Sequence, residues 1–349
     1  MLVAPVLIIE SDDWGFGPLE QAECLREIGA ILLRHRDGTG QAAVMTLGVI
    51  LAGPDTARIA ADNCRAYHRL MLTDAPLDGV RAAMAAGARQ GVFALQLHGL
   101  EHFWPPALIK AATVDPSVRS WLTTAALPET EALPSHLQSR WIDAPTLPSK
   151  PFPLEQVAPA AQEEVKAFKA TFGTAPEVVV PPTFVWTRAV ERAWYDAGVR
   201  ILITPGRRYE RRDAHAQPVR ADQVIHNAER APSGLMYLVR NDYFEPAFGH
   251  TAERGLAALA VKTRLGRPTL LETHRVNFVG SNAKAARALG ELDRLLSSAL
   301  ASFPNLRFMS SAELARHYRD GSPLLERRYA PQLHCVISRL AETSSLRKL

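Results

Sequence analysis

The stretch Val6-Leu-Ile-Ile-Glu-Ser-Asp-Asp-Trp-Gly15 is an apolar run that ends in two adjacent carboxylates and a glycine. A buried strand that delivers a pair of aspartates at its C-terminal end is a common way for α/β enzymes to place charge at an active-site rim. Taken alone, Asp-Asp-x-Gly also makes an ordinary turn. The device recurs, however. Phe93-Ala-Leu-Gln-Leu-His-Gly-Leu-Glu-His102 ends a second apolar run in two histidines, and Thr269-Leu-Leu-Glu-Thr-His274 ends a third in another. Three such runs point to one site assembled at one face of a sheet or barrel.

The rest of the chain alternates between strand-like and helical patterns. Strands are predicted at Val3–Ile9, Gln41–Val49, Val92–Leu97, Val178–Val180, Val199–Ile203, Leu235–Val239, Pro268–Thr273 and Leu306–Met309. Between them lie the apolar spacing of Leu19, Ala22, Leu25, Ile28 and Leu32 within Pro18–Arg36, and helices over Ala82–Gln90, Gln162–Phe172 and Ala283–Ser302. A Thr187-capped helix closes at Gly198, and Ser310-Ser-Ala-Glu313 is a capping box that opens a final helix. About eight short strands alternating with helices in this order argue for a parallel, barrel-like α/β fold over residues 1–319. Residues 105–159 hold ten of the 25 prolines and read as an irregular insertion spanning about 103–160, with 320–349 as a tail.

Composition narrows the partners. Apolar residues make up 47% and charged residues 22% of 349, which indicates a globular chain able to bury a sizeable core. A formal charge of +4 is small for this length, and no nucleic-acid partner is expected. Basic clusters at Arg207-Arg208 with Arg211-Arg212, and at Arg327-Arg328, read as solvated loops or as anion contacts. Cys24, Cys64 and Cys335 form neither a metal-type pair nor a disulfide framework, which suits a reducing compartment. Without a signal-peptide pattern, and with no apolar stretch near the ~20 residues that cross a bilayer, the expectation is a soluble, cytoplasmic protein.

His98 and His102 are four residues apart, so one helical turn would set their imidazoles on the same side, about 5–6 Å apart at Cβ. Two satisfied loop histidines give the same pattern. Asp13 can add the oxygen that completes a His, His, Asp set with an open position, as a catalytic zinc site requires. Asp12 then stands next to a ligand, suited to take a proton from water. His274 can serve as the complementary acid, oriented by Asp242 in Arg240-Asn-Asp-Tyr-Phe-Glu-Pro246. An acid and a base flanking a metal site describe hydrolysis of an acyl group.

The order of Asp-Asp-x-Gly, H-x-x-x-H, a Pro-Pro-aromatic segment, an Asp-Tyr segment and a strand-terminal His resembles the polysaccharide deacetylases, carbohydrate esterases that include chitin and peptidoglycan deacetylases. The resemblance spans roughly residues 5–315. It implies a distorted (β/α) barrel, one divalent metal, zinc being the expected ion, and removal of N-acetyl groups from a sugar or glycan precursor. By position, Asp12 is implied as base, Asp13, His98 and His102 as ligands, and Asp242 and His274 as the acid pair. Val180-Pro-Pro-Thr-Phe184 would line the substrate groove through Pro182, Thr183 and Phe184, with a backbone N–H near Thr183 facing the oxyanion. Two departures stand out. Val180 occupies the place of the family's usual arginine, which leaves Arg240 or Arg275 to steady the base, and Gly99 replaces a small hydroxyl residue.

Trp14, Trp186 and Tyr243, with Phe184, could form a sugar-stacking rim, although aromatics beside strand ends are as often core. Arg240 and Arg275 are also candidate substrate contacts. Two other functions fit parts of the pattern. His98-x-x-Glu101-His102 matches an inverted zincin peptidase with Glu101 as base, which needs both histidines in a long helix. A non-catalytic glycan-binding barrel would keep the fold without the chemistry.

Overall fold

The computed structural model describes residues 1–326. Its central sheet is built from β1 (Val6–Gly15), β2 (Met45–Ile50), β3 (Phe93–Leu97), β4 (Val178–Val179), β5 (Ile201–Thr204), β6 (Met236–Val239), β7 (Asp242–Tyr243), β8 (Thr269–His274) and β9 (Arg307–Phe308). They run in the order β6-β5-β4-β3-β2-β1-β8-β7, with β9 paired to β1, and every pairing is parallel. Helices cover the outside: α1 (Gln21–Arg34), α2 (Asp78–Arg89), α3 (Leu154–Phe172), α4 (Arg188–Asp196), α5 (Ala252–Arg264) and α6 (Asn282–Ser302). The expected distorted (β/α) barrel is the observed architecture.

The two ends of the strand order are consecutive in the chain. The segment 236–243 pairs with β5 through its first half and with β8 through its second. At the changeover, the Arg240 N–H donates to the Thr204 carbonyl and the Asn241 N–H to the Leu270 carbonyl, at 3.0 and 3.1 Å. The two ends of the strand order are therefore joined through this one segment. Helix α7 (Ser311–Asp320), opened by the expected Ser310–Glu313 capping box, sets Leu314 and Ala315 among the inward side chains.

Strand alternation divides the apolar residues into two layers. Val6, Ile8, Val178, Val180, Ile201, Ile203, Met236, Leu238 and Leu270 fill the interior. Their neighbours Leu7, Ile9, Val179, Leu202, Tyr237 and Leu271 pack outward in the large cluster shared with the helices. The same inward parity continues along β1 to Glu10 and Asp12, and along β8 to Glu272 and His274. The interior is thus apolar below and charged above.

Several boundaries differ from the sequence reading. β1 continues to Gly15, so the aspartate pair lies within the strand rather than after it. Helix α3 begins at Leu154, eight residues earlier than expected, and contains Pro159; in the second turn this proline has no N–H to give to the Glu155 carbonyl, so the helix runs on with that one backbone bond missing. The Pro-rich insertion carries the short helices Pro105–Ala111 and Pro116–Leu122 and its own apolar cluster around Phe103, Leu108 and Leu122. Of the expected tail, residues 321–326 run back along the N-terminus, where the Val3 N–H donates to the Leu324 carbonyl at 2.9 Å. The remainder, with Arg327, Arg328 and Cys335, lies outside the described residues. Among those described, no helix is long and apolar enough to cross a membrane.

Because Leu314 is fully buried in the inner apolar layer, Leu314→Ala is expected to lower the free energy of unfolding by about 2–5 kcal/mol. Urea denaturation of the two proteins measures the difference.

Candidate metal centre and active site

In a regular strand, adjacent side chains point to opposite faces, yet Asp12 and Asp13 both belong to the barrel mouth. The β1–β2 register shifts between Ser11 and Trp14, and Asp13 adopts a left-handed φ of 71°. A non-glycine residue in that region costs on the order of 1–3 kcal/mol and is held there by its surroundings. Here the irregularity turns the second carboxylate inward toward the histidines.

His98 follows the last residue of β3. His102 is brought back by a tight loop in which Gly99 has φ +108°, and a Cβ on Gly99 would lie 2.8 Å from the Glu101 carbonyl oxygen. Backbone geometry therefore accounts for glycine at this departure from the family pattern. Asp13 Oδ1 lies 3.3 Å from His98 Nε2 and 3.4 Å from His102 Nε2, and one ligand atom from each of the three residues falls within 4.8 Å of the others. All three residues are buried.

The donor set suits a divalent ion. Asp13 Oδ1 is buried with no hydrogen-bond partner, so an acceptor faces two imidazole nitrogens with nothing donating to it. His98 Nδ1 is 2.9 Å from the Val180 carbonyl. A carbonyl only accepts, so Nδ1 carries the proton and Nε2 keeps its lone pair for the site. Burial first, and then the neighbouring His98 and His274, push the His102 pKa down to about 4 against the pull of Asp13, which leaves a neutral imidazole. Burial is the largest influence on Asp13 and opposes ionisation, but the two histidines beside it outweigh burial and hold the carboxyl far below the usual carboxylate range.

Asp12 faces a different partner. Arg240, at the end of β6, donates from Nη1 to Oδ2 at 2.6 Å and from Nη2 to Oδ1 at 2.8 Å, and from Nε to Glu10 at 2.6 Å. Ser311 of α7 donates to the other oxygen of Glu10. Burial raises the Asp12 pKa most strongly, but Arg240 and His98 reverse this, and the net shift is downward. Of Arg240 and Arg275, the two arginines expected near Asp12, Arg240 is the one that meets it. The inner face of β2 also makes room, since a Cβ on Gly48 would lie 2.3 Å from Asp12 Oδ1.

On the next strand, β8, the register sets His274 beside Asp12. Its orienting carboxylate is not Asp242. His274 Nδ1 lies 2.6 Å from Glu245 Oε1, and Asn277 donates to the second Glu245 oxygen. Asp242 pairs in register with Leu271, whose side chain packs outward; Asp242 correspondingly meets Arg254 and Lys262 at 3.2 and 3.9 Å. Tyr243, next in the chain, pairs with inward-facing Glu272, and Glu245 shares its parity. Burial lowers the His274 pKa, but the Glu245 hydrogen bond and the charges of Asp13, Glu245 and Asp12 outweigh it and raise the value to about 10.

The remaining candidates separate by burial. Trp14 is fully enclosed and donates to Ser11 Oγ at 2.8 Å; Trp186 is fully enclosed and donates to Glu191 at 2.9 Å. Both are core residues, not a rim. Arg275 is occupied, donating to the Phe16 carbonyl at 2.7 Å and to both oxygens of Glu131 at 3.0 and 2.8 Å, so it neither steadies Asp12 nor stands free for substrate. Arg240 likewise spends its donors on Asp12 and Glu10. Pro182 packs against the Gly99 turn, while Thr183 and Phe184 both take left-handed φ values of 51° and 55°. Phe184 lies under the Arg240 guanidinium at 5.6 Å, and Tyr243 remains 45% exposed. Phe184 and Tyr243 are the rim aromatics the structure leaves available.

Glu10, Glu245, Glu272 and Asn277 were missed by sequence reasoning. The signal for the glutamates was strand parity: Glu10 lies two before Asp12, Glu272 two before His274, and Glu245 two after Tyr243. Glu101 is not placed as a base. The chain around it is not helical, and its carboxylate takes donors from Arg69 and Arg140, which removes the peptidase geometry. Of the basic clusters, Arg208 pairs with Glu191 and Glu210, and Arg212 donates to the Ala216 carbonyl.

A folded pKa near 10 for His274 lies above the ordinary value of about 6.5. Its stabilising contribution is therefore complete below pH 6.5 and is lost as pH rises through about 10. In metal-free protein, NMR titration of the imidazole should place this pKa far above 6.5. Glu245→Gln should bring it down and Asp242→Asn should leave it in place; equal responses to the two substitutions would reject the assignment.

No family model and no curated protein matches the sequence. The structure is similar to a polysaccharide deacetylase candidate from Mycobacterium smegmatis, at 12% identity over 94% of this chain and 99% of that one, with a TM-score of 0.44. It is also similar to a family 4 acetyl xylan esterase from Clostridium thermocellum, solved with cobalt, at 11% identity over 91% and 93% and a TM-score of 0.40. A third similar structure is a 4-alpha-glucanotransferase from Thermococcus litoralis, at 8% identity over 92% of this chain and 41% of that one, with a TM-score of 0.46.

Proposed function

We propose that this chain is a metal-dependent hydrolase that removes an acetyl or similar acyl group from nitrogen on a sugar or glycan precursor. The observation that carries this reading is the meeting of three kinds of group at one barrel end. They are an Asp13–His98–His102 donor set, an aspartate gripped by arginine, and a histidine braced by a carboxylate.

Asp13, His98 and His102 would hold the ion, and a two-imidazole, one-carboxylate set suits zinc. When bound, the ion supplies Lewis acidity to water and to the acyl carbonyl. Asp12 serves as the base. Arg240 keeps it ionised, and each carboxylate oxygen retains a further lone pair beyond the bond it accepts from the guanidinium. His274 serves as the acid. Glu245 secures Nδ1, so Nε2 is the nitrogen that presents a proton to the departing amine. Phe184 and Tyr243 offer faces on which a sugar ring can stack.

Acetate release from a panel of N-acetylated sugars and glycan precursors, measured before and after chelation and after return of zinc, tests the activity. Asp12→Asn is expected to retain metal while losing on the order of 10²–10⁴ in turnover. Full activity of that variant, or activity indifferent to the chelator, would overturn the reading. Glycan binding without acetate release from the wild type would favour a non-catalytic barrel instead.

A further inference from the structure

The two histidines of the donor set are supported unequally. His98 is oriented by its bond to the Val180 carbonyl, whereas His102 Nδ1 is buried with no hydrogen-bond partner. A ligating imidazole ordinarily has its second nitrogen bonded to a carboxylate, carbonyl or water, which fixes the ring. The His102 ring therefore takes its position from the backbone that carries it, and the preceding residue is among the most heavily anchored in the protein.

Glu101 is fully buried, and its two oxygens accept from Arg69 Nε and Arg140 Nη1 respectively. Arg69 belongs to the short strand Arg69–Met71, and Arg140 to the Pro-rich insertion. Both arginines reach onward to α3. Arg69 donates to Glu163 at 2.7 Å, and Arg140 lies 3.6 Å from Glu163 and 3.5 Å from Glu164. Glu164 in turn accepts from Trp194 of α4 and from the Leu100 N–H at 3.3 Å, within the metal-site loop itself. Two segments remote in sequence thus converge on the residue next to His102, and α3 ties both of them to the same loop through Leu100.

We infer that Glu101, Arg140 and Arg69 are positioning residues that hold His102 in ligand geometry, making the Pro-rich insertion a structural part of the metal centre. The inference rests on the metal-site reading proposed above. It assigns the glutamate of the H-x-x-E-H pattern a supporting role in place of a chemical one. Arg140 donates to Glu101 from Nη1 and sets Nε 3.5 Å from Glu164, a planar spread of nitrogens that a lysine ammonium does not reproduce.

The test uses full-length protein and cobalt(II), with affinity measured by competition against a chromophoric chelator. Wild type binds; His98→Ala marks the loss of a ligand. Arg69→Met and Arg140→Lys, the latter chosen to keep the buried charge if Arg140→Met does not fold, should melt cooperatively and bind cobalt on the order of 10–100-fold more weakly. The cobalt absorption bands of the bound state should also change. Wild-type affinity in both folded variants overturns the inference. A second readout is independent of metal: in crystals of metal-free Arg140→Lys, the His102 ring should leave its 4.9 Å centroid separation from His98. An unchanged separation also overturns it. Absence of cobalt binding by the wild type would instead bring down the metal-site reading, and with it this inference, by a recognisably different result.

Discussion

Arg240 sits where the charged half of the barrel would otherwise fail. Glu10, Asp12 and Glu272 are three buried carboxylates on the inner face of the charged end, and buried charge is costly unless it is paired. One guanidinium makes close bonds to the first two and lies 3.8 Å from the third. Removing one partner from such a group typically costs about 3–5 kcal/mol, because the remaining charges are left uncompensated. A side chain that keeps the Asp12 carboxylate ionised is thereby also part of what holds the barrel end together. Its position is itself a product of topology, since it lies at the changeover where one chain segment leaves β5 and joins β8.

The same parity that makes the interior apolar below makes it charged above. Residues two apart along β1 pass from Val6 and Ile8 to Glu10 and Asp12, and along β8 from Leu270 to Glu272 and His274. The inner apolar layer excludes water and lowers the local dielectric, so a few well-placed charges act strongly on one another. The β1 irregularity at Asp13 then adds what parity alone cannot provide, a second carboxylate on the same side as the first.

Much of this was legible in the sequence. The alternation of short apolar runs with helical spacing predicted a parallel barrel, and the ends of three runs pointed to the residues that gather at its mouth. Where the reading went astray, the cause was local. Trp14 and Trp186 stand beside strand ends, and nearness to the site in sequence did not distinguish a rim from the core behind it. Asp242 and Glu245 lie three residues apart in one segment, and only the register of β7 against β8 showed which of them meets His274.

The sequence by itself determined which residue types end the strands, because apolar periodicity and the polar residues that interrupt it are properties of the chain. It could not determine which carboxylate meets which cation. Glu10 and Arg240 are separated by 230 positions, Glu101 and Arg140 by 39, and Arg275 and Glu131 by 144. Such pairings depend on strand register, on one left-handed residue and on the path of an insertion. Only the folded chain decided them, because buried charge is tolerated only where tertiary packing brings its partner within hydrogen-bonding distance.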